Sequence, residues 1–375
     1  MKVGVVKEIV PGETRVAATP ETVSKMMVAN MEVLIESSAG KHAYFSDQDY
    51  TQAGAHVLMS AKEVYAQTDV VLKVQPPFND EVDFLREGST LIAPLYPVKN
   101  ADLIKKLNAK KITAFSLELL PRIARAQSMD ILSSMSNLAG YKSVMMAAEH
   151  LGKIFPMMTT AAGTILPAKV IVIGAGVAGL QAIATARRLG GVVIAFDTRP
   201  AAREQVKSLG ADFVSMETTH ENAQDAGGYA KEQTTEFYQH EQDIIAKYLK
   251  EADVVISTAL IPGKRAPILI TENMVQSMKQ GSVIVDLAAE QQGNCLLCEP
   301  GQIVVKHGVT IIGVLNIPSL LPVHASQLYS KNIFTFLNYT APCLASQQWN
   351  FSDDIIKNCL LTYNGETVHP AFKQT

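Results

Sequence analysis

Three glycines and one aspartate have the types and the spacing to bind a phosphorylated ligand. Gly174, Gly176 and Gly179 stand at G-x-G-x-x-G spacing, and Asp197 lies 23 positions beyond the first of them. In this pattern the first glycine permits a tight turn, the second lets the backbone approach a pyrophosphate, and the third lets a helix pack closely on a strand. The carboxylate stands where it accepts hydrogen bonds from an adenosine ribose. The four residues therefore predict a dinucleotide site.

The elements around these residues are those that such a site requires. Val170 to Ile173 form a continuous apolar run, typical of a strand that is buried on both faces. An Ala- and Leu-rich helix follows, and the N–H groups of its first turn, which includes Val177 and Ala178, are expected to face the phosphates. A second strand, from Val192 to Phe196, then leads to Asp197.

The choice between the two nicotinamide cofactors depends on Asp197 and Arg199. A carboxylate at the ribose favours NAD(H), because the 2′-phosphate of NADP(H) would meet a negative charge. Arg199 stands two residues further on and could accommodate that phosphate. We expect NAD(H), with Arg199 as the argument for the alternative.

Composition narrows the class of protein. A chain of 375 residues suits two domains, and a net charge of −3 gives no reason to expect a nucleic-acid partner. The N-terminus does not resemble a signal peptide, and no apolar run reaches the roughly 18 residues of a membrane span. Four cysteines indicate no disulfide framework, which fits the cytoplasm. Cys295 and Cys298 form a C-x-x-C without a second zinc-type pair, so no metal is expected; a redox pair and a packing pair both remain open.

Residues 1 to about 120 alternate short apolar strands with amphipathic helices. This alternation predicts a second Rossmann-like domain, without a glycine fingerprint of its own. Arg15 follows the first predicted strand and Lys73 closes another, both at the edge of the sheet that faces the ligand crevice. A functional role and a structural role are equally open for both residues.

A polar stretch from Leu119 to Tyr141 joins the two predicted domains. It places two arginines, an amide, a carboxylate and several hydroxyls within a short distance, and a helix is predicted to begin at Ala139. A connector with a purely structural role would not need so many hydrogen-bonding side chains. A polar loop before a capped helix is the alternative interpretation.

The remaining pattern completes the predicted domains. Glu217 to Thr235 lacks apolar periodicity and contains two adjacent glycines, so it is expected to be a surface loop that serves as a lid. The last residues are too few for a domain and should complete the first one. The predicted fold class is therefore α/β, with two Rossmann-like, doubly wound parallel-sheet domains. Residues 1–136 with 321–375 form the first domain, and residues 137–320 form the inserted dinucleotide-binding domain.

Six stretches of the chain carry a family resemblance. KEIVPGETRVAATP, RAQSMDILSSMSNLAGY, GAGVAGLQAIATARRLG, AGGYAKE, TALIPGK and DLAAEQQGNC resemble the NAD(H)-binding (α1-type, domain I) components of the proton-translocating NAD(P) transhydrogenases. The likeness extends over essentially the whole chain. RAQSMD and AGGYAKE are the most specific of these motifs.

Alanine dehydrogenases share this architecture and are the nearest alternative. The resemblance matches their arginine to Arg15 and their strand-end lysine to Lys73, and it places Glu290 where they have an acid in a later loop. Their histidine falls in Ala93-Pro94-Leu95-Tyr96, where proline stands and cannot transfer a proton. They also lack the RAQSMD wording, so the resemblance favours the transhydrogenases.

The resemblance implies an activity and a set of partners. Re/Si-specific, proton-translocating transhydrogenases pass hydride between NAD(H) on one component and NADP(H) on another, and membrane-integral subunits carry the proton. A chain of this kind would be a homodimer, peripheral on the cytoplasmic side of the inner membrane, and active only with its partner subunits. An alanine dehydrogenase-type amino-acid dehydrogenase and a non-catalytic NAD-sensing module remain as rival hypotheses.

The resemblance also implies roles for individual residues. At the nicotinamide end it places four residues with a role in the reaction, Arg122, Gln127, Asp130 and Ser133, of which Gln127 reaches towards the second nucleotide. Ile123, Ala124 and Arg125 are expected to contact the cofactor as well. Asp197, Thr198 and Arg199 would surround the adenosine ribose, Gly228 and Leu260 would line the site, and Tyr229 would lie on the closing loop.

Overall fold

The structure, a computed structural model, describes residues 1–215, 234–260, 264–346 and 348–373. It divides into two compact units: unit 1 comprises Met1–Met135 with Ser319–Thr375, and unit 2 comprises Ser136–Pro318. Both units are α/β folds built on largely parallel sheets, which confirms the predicted fold class. Within the described ranges, no helix combines the length and the apolar character that crossing a membrane requires.

Strands and helices alternate along the N-terminal segment of unit 1. In chain order the elements are β1 (Lys2–Val5), α1 (Pro20–Val28), β2 (Glu32–Glu36), α2 (Asp47–Gln52), β3 (His56–Leu58), α3 (Ala61–Gln67), β4 (Val70–Leu72), α4 (Asn79–Phe84), β5 (Thr90–Ala93), α5 (Ala101–Ala109) and β6 (Thr113–Ser116). Helix α1 begins as its sequence predicts, with Thr19 as N-cap and Pro20 at the first position.

Helix α6 (Ile131–His150) begins eight residues before Ala139, so the predicted start of this helix is wrong. Asp130 directly precedes the helix, and its carboxylate accepts the Ser133 backbone N–H at 2.9 Å and the Ser133 hydroxyl at 2.6 Å. An N-cap satisfies a helix in this way, because its side chain accepts one of the N–H groups that have no partner within the helix. The cap explains why a segment with several serines is helical.

Unit 2 follows along the chain. Its elements are β7 (Met158–Thr160), β8 (Gly163–Ile165), β9 (Lys169–Ile173), α7 (Val177–Arg188), β10 (Val192–Asp197), α8 (Ala202–Ser208), β11 (Asp212–Ser215), α9 (Thr235–Leu249), β12 (Val254–Ser257), α10 (Glu272–Gln276), β13 (Val283–Asp286), β14 (Ile303–Lys306) and β15 (Val309–Ile312). The chain then returns to unit 1 with α11 (Pro322–Ser346), α12 (Asp354–Cys359), β16 (Leu360–Tyr363) and β17 (Glu366–Thr367).

Each unit is centred on one doubly wound sheet. The strand order of unit 1 is β17-β16-β6-β5-β4-β1-β2-β3, and that of unit 2 is β11-β10-β9-β12-β13-β15-β14. The pairs β6–β16, β16–β17 and β14–β15 are antiparallel, and the other pairs within these two sheets are parallel. In unit 2 the order reverses between β9 and β12, and ligands of such sheets bind outside the carboxyl ends of the strands at that point.

Strand β9 lies at the centre of the unit 2 core. Val170 and Val172 belong to one buried apolar cluster, whereas Ile171 and Ile173 belong to another, together with Phe196. Successive side chains of a strand point to opposite faces, so the sheet is covered on both faces. This arrangement explains why the strand reads as a continuous apolar run.

Candidate functional site

The turn between β9 and α7 has the geometry that the three glycines predict. Gly174 has a φ of 91°, in the left-handed region, and the Thr258 hydroxyl donates to its carbonyl oxygen at 2.9 Å. A Cβ on Gly179 would lie 1.8 Å from the same oxygen, so α7 can pack this closely only with glycine there. Among the described residues, a Cβ on Gly176 would meet only Arg199 Nη2, at 4.0 Å. The open space over Gly176 fits the approach of a diphosphate.

Asp197 ends β10 beside this turn, and its side chain is 6% exposed. Its Oδ2 accepts the Ala175 N–H at 2.7 Å, which ties the acid to the glycine turn. Its Oδ1 accepts the backbone N–H of Arg199 at 2.8 Å. The Arg199 guanidinium completes a two-pronged contact, Nε to Oδ1 and Nη2 to Oδ2, each at 2.8 Å. These hydrogen bonds raise the pKa of Arg199.

The remaining cofactor residues expected in unit 2 lie close along the chain to these. Val177 and Ala178 form the first positions of α7, Thr198 lies between Asp197 and Arg199, and Leu260 lies just beyond β12. Gly228 and Tyr229 fall outside the described residues, as does most of the Glu217–Thr235 segment.

Asn294 is a supporting residue that the sequence analysis did not single out. Its side chain is fully buried, and it holds Ala259, the residue before Leu260, from both sides. The Ala259 N–H donates to Asn294 Oδ1 at 3.1 Å, and Asn294 Nδ2 donates to the Ala259 carbonyl oxygen at 2.9 Å. Thr258 was missed too, although its position directly after a strand at this edge was a usable signal.

The polar stretch predicted to act at the nicotinamide lies in unit 1 and contains a 3-10 helix, Ala124–Met129. Ala126 and Met129 anchor it in the unit 1 core, and Asn332 Nδ2 donates to the Ser128 carbonyl oxygen at 2.8 Å. The side chain of Gln127 is exposed, and the described residues offer it no hydrogen bond. The amide is therefore presented by a fixed backbone.

The other predicted residues of this stretch differ in their surroundings. Arg122 and Ala124 are exposed and Ile123 is half-buried, whereas Asp130 and Ser133 contact each other at the start of α6. Arg125 donates through Nη1 to Asp353 Oδ2 at 2.6 Å and to the Tyr339 hydroxyl at 2.9 Å. This pairing gives Arg125 a structural contact within unit 1, and its expected contact with the cofactor remains a prediction.

Arg15 and Lys73 are buried in unit 1 with carboxylate partners. Arg15 pairs with Glu13, and the Lys73 ammonium, 1% exposed, lies 3.2 Å from Glu8 Oε2 and 3.0 Å from Glu81 Oε1. Burial opposes the charge on Lys73, but the two glutamates outweigh it and raise its pKa. Both cations therefore have counter-charges within unit 1.

Cys295 and Cys298 are buried free thiols. Burial raises the pKa of each to about 12, so neither is a thiolate near neutral pH. The packing interpretation of this pair is thereby favoured over a redox role. The described residues contain no group of three or more His, Cys, Asp or Glu side chains that could hold a metal ion.

The fold and this turn define an α/β protein of two doubly wound units with one dinucleotide-type crevice. Residues 4–139 match the family model described as "Alanine dehydrogenase/PNT, N-terminal domain", and residues 143–370 match "Alanine dehydrogenase/PNT, C-terminal domain". The chain belongs to the alanine dehydrogenase/PNT family.

Similar proteins fall on both sides of this family. A split-type alpha subunit of NAD(P) transhydrogenase, that of Rhodospirillum rubrum, is 48% identical over 378 residues, which cover 99% of this chain and 98% of that protein. The crystal structure of transhydrogenase from Sinorhizobium meliloti has a TM-score of 0.87 at 43% identity, covering 99% of this chain and 100% of that one. A structure of L-alanine dehydrogenase has a TM-score of 0.83 at 29% identity, covering 99% and 98%.

Proposed function

We propose that this chain is the NAD(H)-binding component of a Re/Si-specific, proton-translocating NAD(P) transhydrogenase. The observation that carries the proposal is an intact dinucleotide turn in a chain that is 48% identical, end to end, to a transhydrogenase subunit. The lower identity to L-alanine dehydrogenase, 29%, supports the same choice.

Unit 2 supplies the groups that would bind NAD(H). The turn from Gly174 to Gly179 and the N–H groups at the start of α7 would hold the diphosphate. Asp197 would accept the ribose hydroxyls, with Leu260 lining the site. When bound, the nicotinamide supplies the carbon that gives or takes the hydride, so no side chain of this chain needs to act as a nucleophile or base.

The role of unit 1 in the reaction would be positioning. Gln127 presents an exposed amide on an anchored 3-10 helix, and the Asp130–Ser133 pair fixes the start of α6. Side chains held in this way can orient a carboxamide and exclude water, and orientation of reactants can lower a barrier by several kcal/mol. Arg122 would complete this group.

The partners would be an NADP(H)-binding subunit and membrane-integral subunits that couple hydride transfer to proton movement. The chain would then lie peripherally on the cytoplasmic side of the inner membrane. To test the function, we would mix the chain with an NADP(H)-binding partner and assay hydride transfer between the two nucleotides. NADH oxidation that depends on pyruvate and ammonia would indicate an amino-acid dehydrogenase instead, and binding without transfer to any partner would indicate an NAD sensor.

We also propose a homodimer, formed through the hairpin β7–β8. All its residues are exposed, and the flanking Leu166 is 77% exposed. A two-stranded hairpin is marginally stable by itself in water, and exposed apolar groups mark contact surfaces.

Changing both Ile165 and Leu166 to Asp should weaken self-association at least about tenfold, because each buried apolar side chain contributes roughly 1.5–3 kcal/mol. Sedimentation equilibrium would measure the dissociation constant. Val305→Asp, which also adds a charge at an exposed apolar position of unit 2, is the control and should leave the constant unchanged. A double variant that associates as tightly as the parent would exclude the hairpin.

Replacing Gln127 with Asn should slow hydride transfer in the reconstituted complex at least about tenfold, because it withdraws the amide by one methylene and misplacement of about 1 Å can cost on the order of 10²-fold. Asp130→Asn should slow transfer similarly while retaining the helix, since Asn is as good an N-cap as Asp. Both variants should bind NADH within a few-fold of the parent. Single-turnover rates with the partner would measure the effect, and unchanged transfer in both variants would remove this segment from the mechanism.

A further inference from the structure

The carboxylate that would read the adenosine ribose has no acceptor position left. A carboxylate offers about four lone-pair sites. In Asp197 they are filled by two backbone N–H groups, those of Ala175 and Arg199, and by two nitrogens of the Arg199 guanidinium. A ribose hydroxyl can donate to Asp197 only if one of these four donors leaves.

Of these donors, only the guanidinium can leave without a change in the backbone. The Ala175 and Arg199 N–H groups belong to the chain on either side of the site, whereas Nε and Nη2 are at the end of a flexible side chain. The Arg199 side chain is 20% exposed, so it has access to solvent. The pair that must break is an ion pair near the surface, and such pairs contribute about 1 kcal/mol or less.

A destination for the displaced guanidinium lies close by. Arg199 Nη2 is 4.0 Å from the position of a Cβ on Gly176, the glycine over which a diphosphate would lie. Gly176 is the N-cap of α7, a helix of 12 residues, so the helix N-terminus favours an anion at the same place. Guanidinium groups bind phosphate oxygens through two parallel hydrogen bonds, as they bind a carboxylate.

We propose that Arg199 is an exchange residue: it occupies Asp197 until a nucleotide binds, and it then transfers to the diphosphate while the ribose hydroxyls take its place on the carboxylate. This inference rests on the proposed NAD(H) site. It makes Arg199 a selectivity residue for ligands that combine a free ribose diol with a diphosphate. A nucleoside without phosphates has to break the ion pair and offers the guanidinium nothing in return.

The test compares three ligands in the full chain and in Arg199→Met, which keeps the length of the side chain but removes its donors. Competition against NADH fluorescence would give the affinities for adenosine, ADP and 2′,5′-ADP. Arg199→Met should bind adenosine at least about fivefold more tightly than the parent, the equivalent of losing a competing ion pair of about 1 kcal/mol. It should bind ADP more weakly than the parent, because the phosphate loses its cation. Arg199→Lys keeps one charge and should fall between the two.

Three results would overturn the inference. If adenosine binds Arg199→Met no more tightly than it binds the parent, Arg199 does not compete with the ribose. A larger loss for 2′,5′-ADP than for ADP would make a 2′-phosphate the partner of the guanidinium. If the parent binds neither NADH nor ADP, the proposed function fails, and the exchange fails with it. Should Arg199→Met not fold, the same ligand comparison in Arg199→Lys decides.

Discussion

Replacing Gly179 with alanine should destabilise the protein by about 3 kcal/mol or more, at the upper end of what overpacking costs, and should abolish measurable NADH binding. The added Cβ would lie 1.8 Å from the Gly174 carbonyl oxygen and 2.9 Å from its carbon. These are backbone atoms, so no rotamer change relieves the clash. Helix α7 would have to move away from β9 and would carry its N-terminal N–H groups out of position. Urea unfolding and NADH fluorescence titration would measure the two effects.

Gly176→Ala is the matched control for Gly179→Ala. Gly176 has a φ of −75°, which any residue adopts, and the space beside it is open among the described residues. We expect stability within about 1 kcal/mol of the parent. NADH binding should still weaken at least about tenfold, because the methyl group would occupy the place where the backbone approaches the diphosphate. Unchanged NADH affinity in Gly176→Ala would mean that the diphosphate does not bind at this turn. A normal unfolding midpoint for Gly179→Ala would contradict the close packing.

The central strands could be predicted from the sequence because they are buried on both faces. The predicted bounds of β2 and β5, Glu32–Glu36 and Thr90–Ala93, are those of the structure. Edge strands were missed, because their residues are partly exposed and lack a continuous apolar run. His56–Leu58 and Ile303–Lys306 lie at the outer edges of their sheets and contain exposed positions. For them, pairing with a neighbouring strand decides the structure.

The start of α6 could not be predicted, for a different reason. Serine and asparagine have modest helix propensity, so the stretch through Ser133 and Asn137 reads as a loop. The contact between Asp130 and Ser133 offsets that weakness. A carboxylate three residues before a serine was visible in the sequence, but only the backbone geometry shows that it caps a helix.

The glycine turn could be predicted because its chemistry is local, whereas the charges around it could not. The spacing of Gly174, Gly176 and Gly179 determines which backbone positions approach a phosphate. Spacing does not report which side chains are buried or which rotamers they adopt. The pairing of Arg199 with Asp197 and the burial of Cys295 are therefore known only from the structure.

Glu241 is a buried acid that periodicity alone also hides. It is 3% exposed and lies on the same face of α9 as Ile245 and Leu249, at i, i+4 and i+8. Burial, and secondly the negative charge of Asp197, raise the pKa of Glu241 to about 8. Asp197 in turn faces the guanidinium of Arg199. Glu241 is therefore protonated in the folded protein near neutral pH and ionised in the unfolded chain, where its pKa is about 4.3.

Glu241→Gln should therefore make the protein more stable than the parent at high pH and change it little at low pH. The folded pKa is above the unfolded one, so the contribution of Glu241 is fully present below about pH 4 and is lost as the pH rises towards about 8. The loss has a slope of about 1.4 kcal/mol per pH unit and reaches roughly 4–5 kcal/mol. Glutamine has the shape of the protonated acid and does not titrate. Urea unfolding of both proteins at pH 5, 7 and 9 would measure a gap that widens with pH.

Glu236→Gln, on the same helix, is the control with the opposite sign. Glu236 is exposed, and hydrogen bonds at the start of α9, its own backbone N–H first and then the Thr234 side chain, lower its pKa. Its contribution is therefore present at high pH and lost as the pH falls, so its removal should not stabilise the protein at pH 9. If Glu241→Gln and the parent differ by the same amount at pH 5 and pH 9, Glu241 keeps one charge state throughout that range. The carboxyl group would then have a solvated environment that its position on the buried face of α9 does not provide.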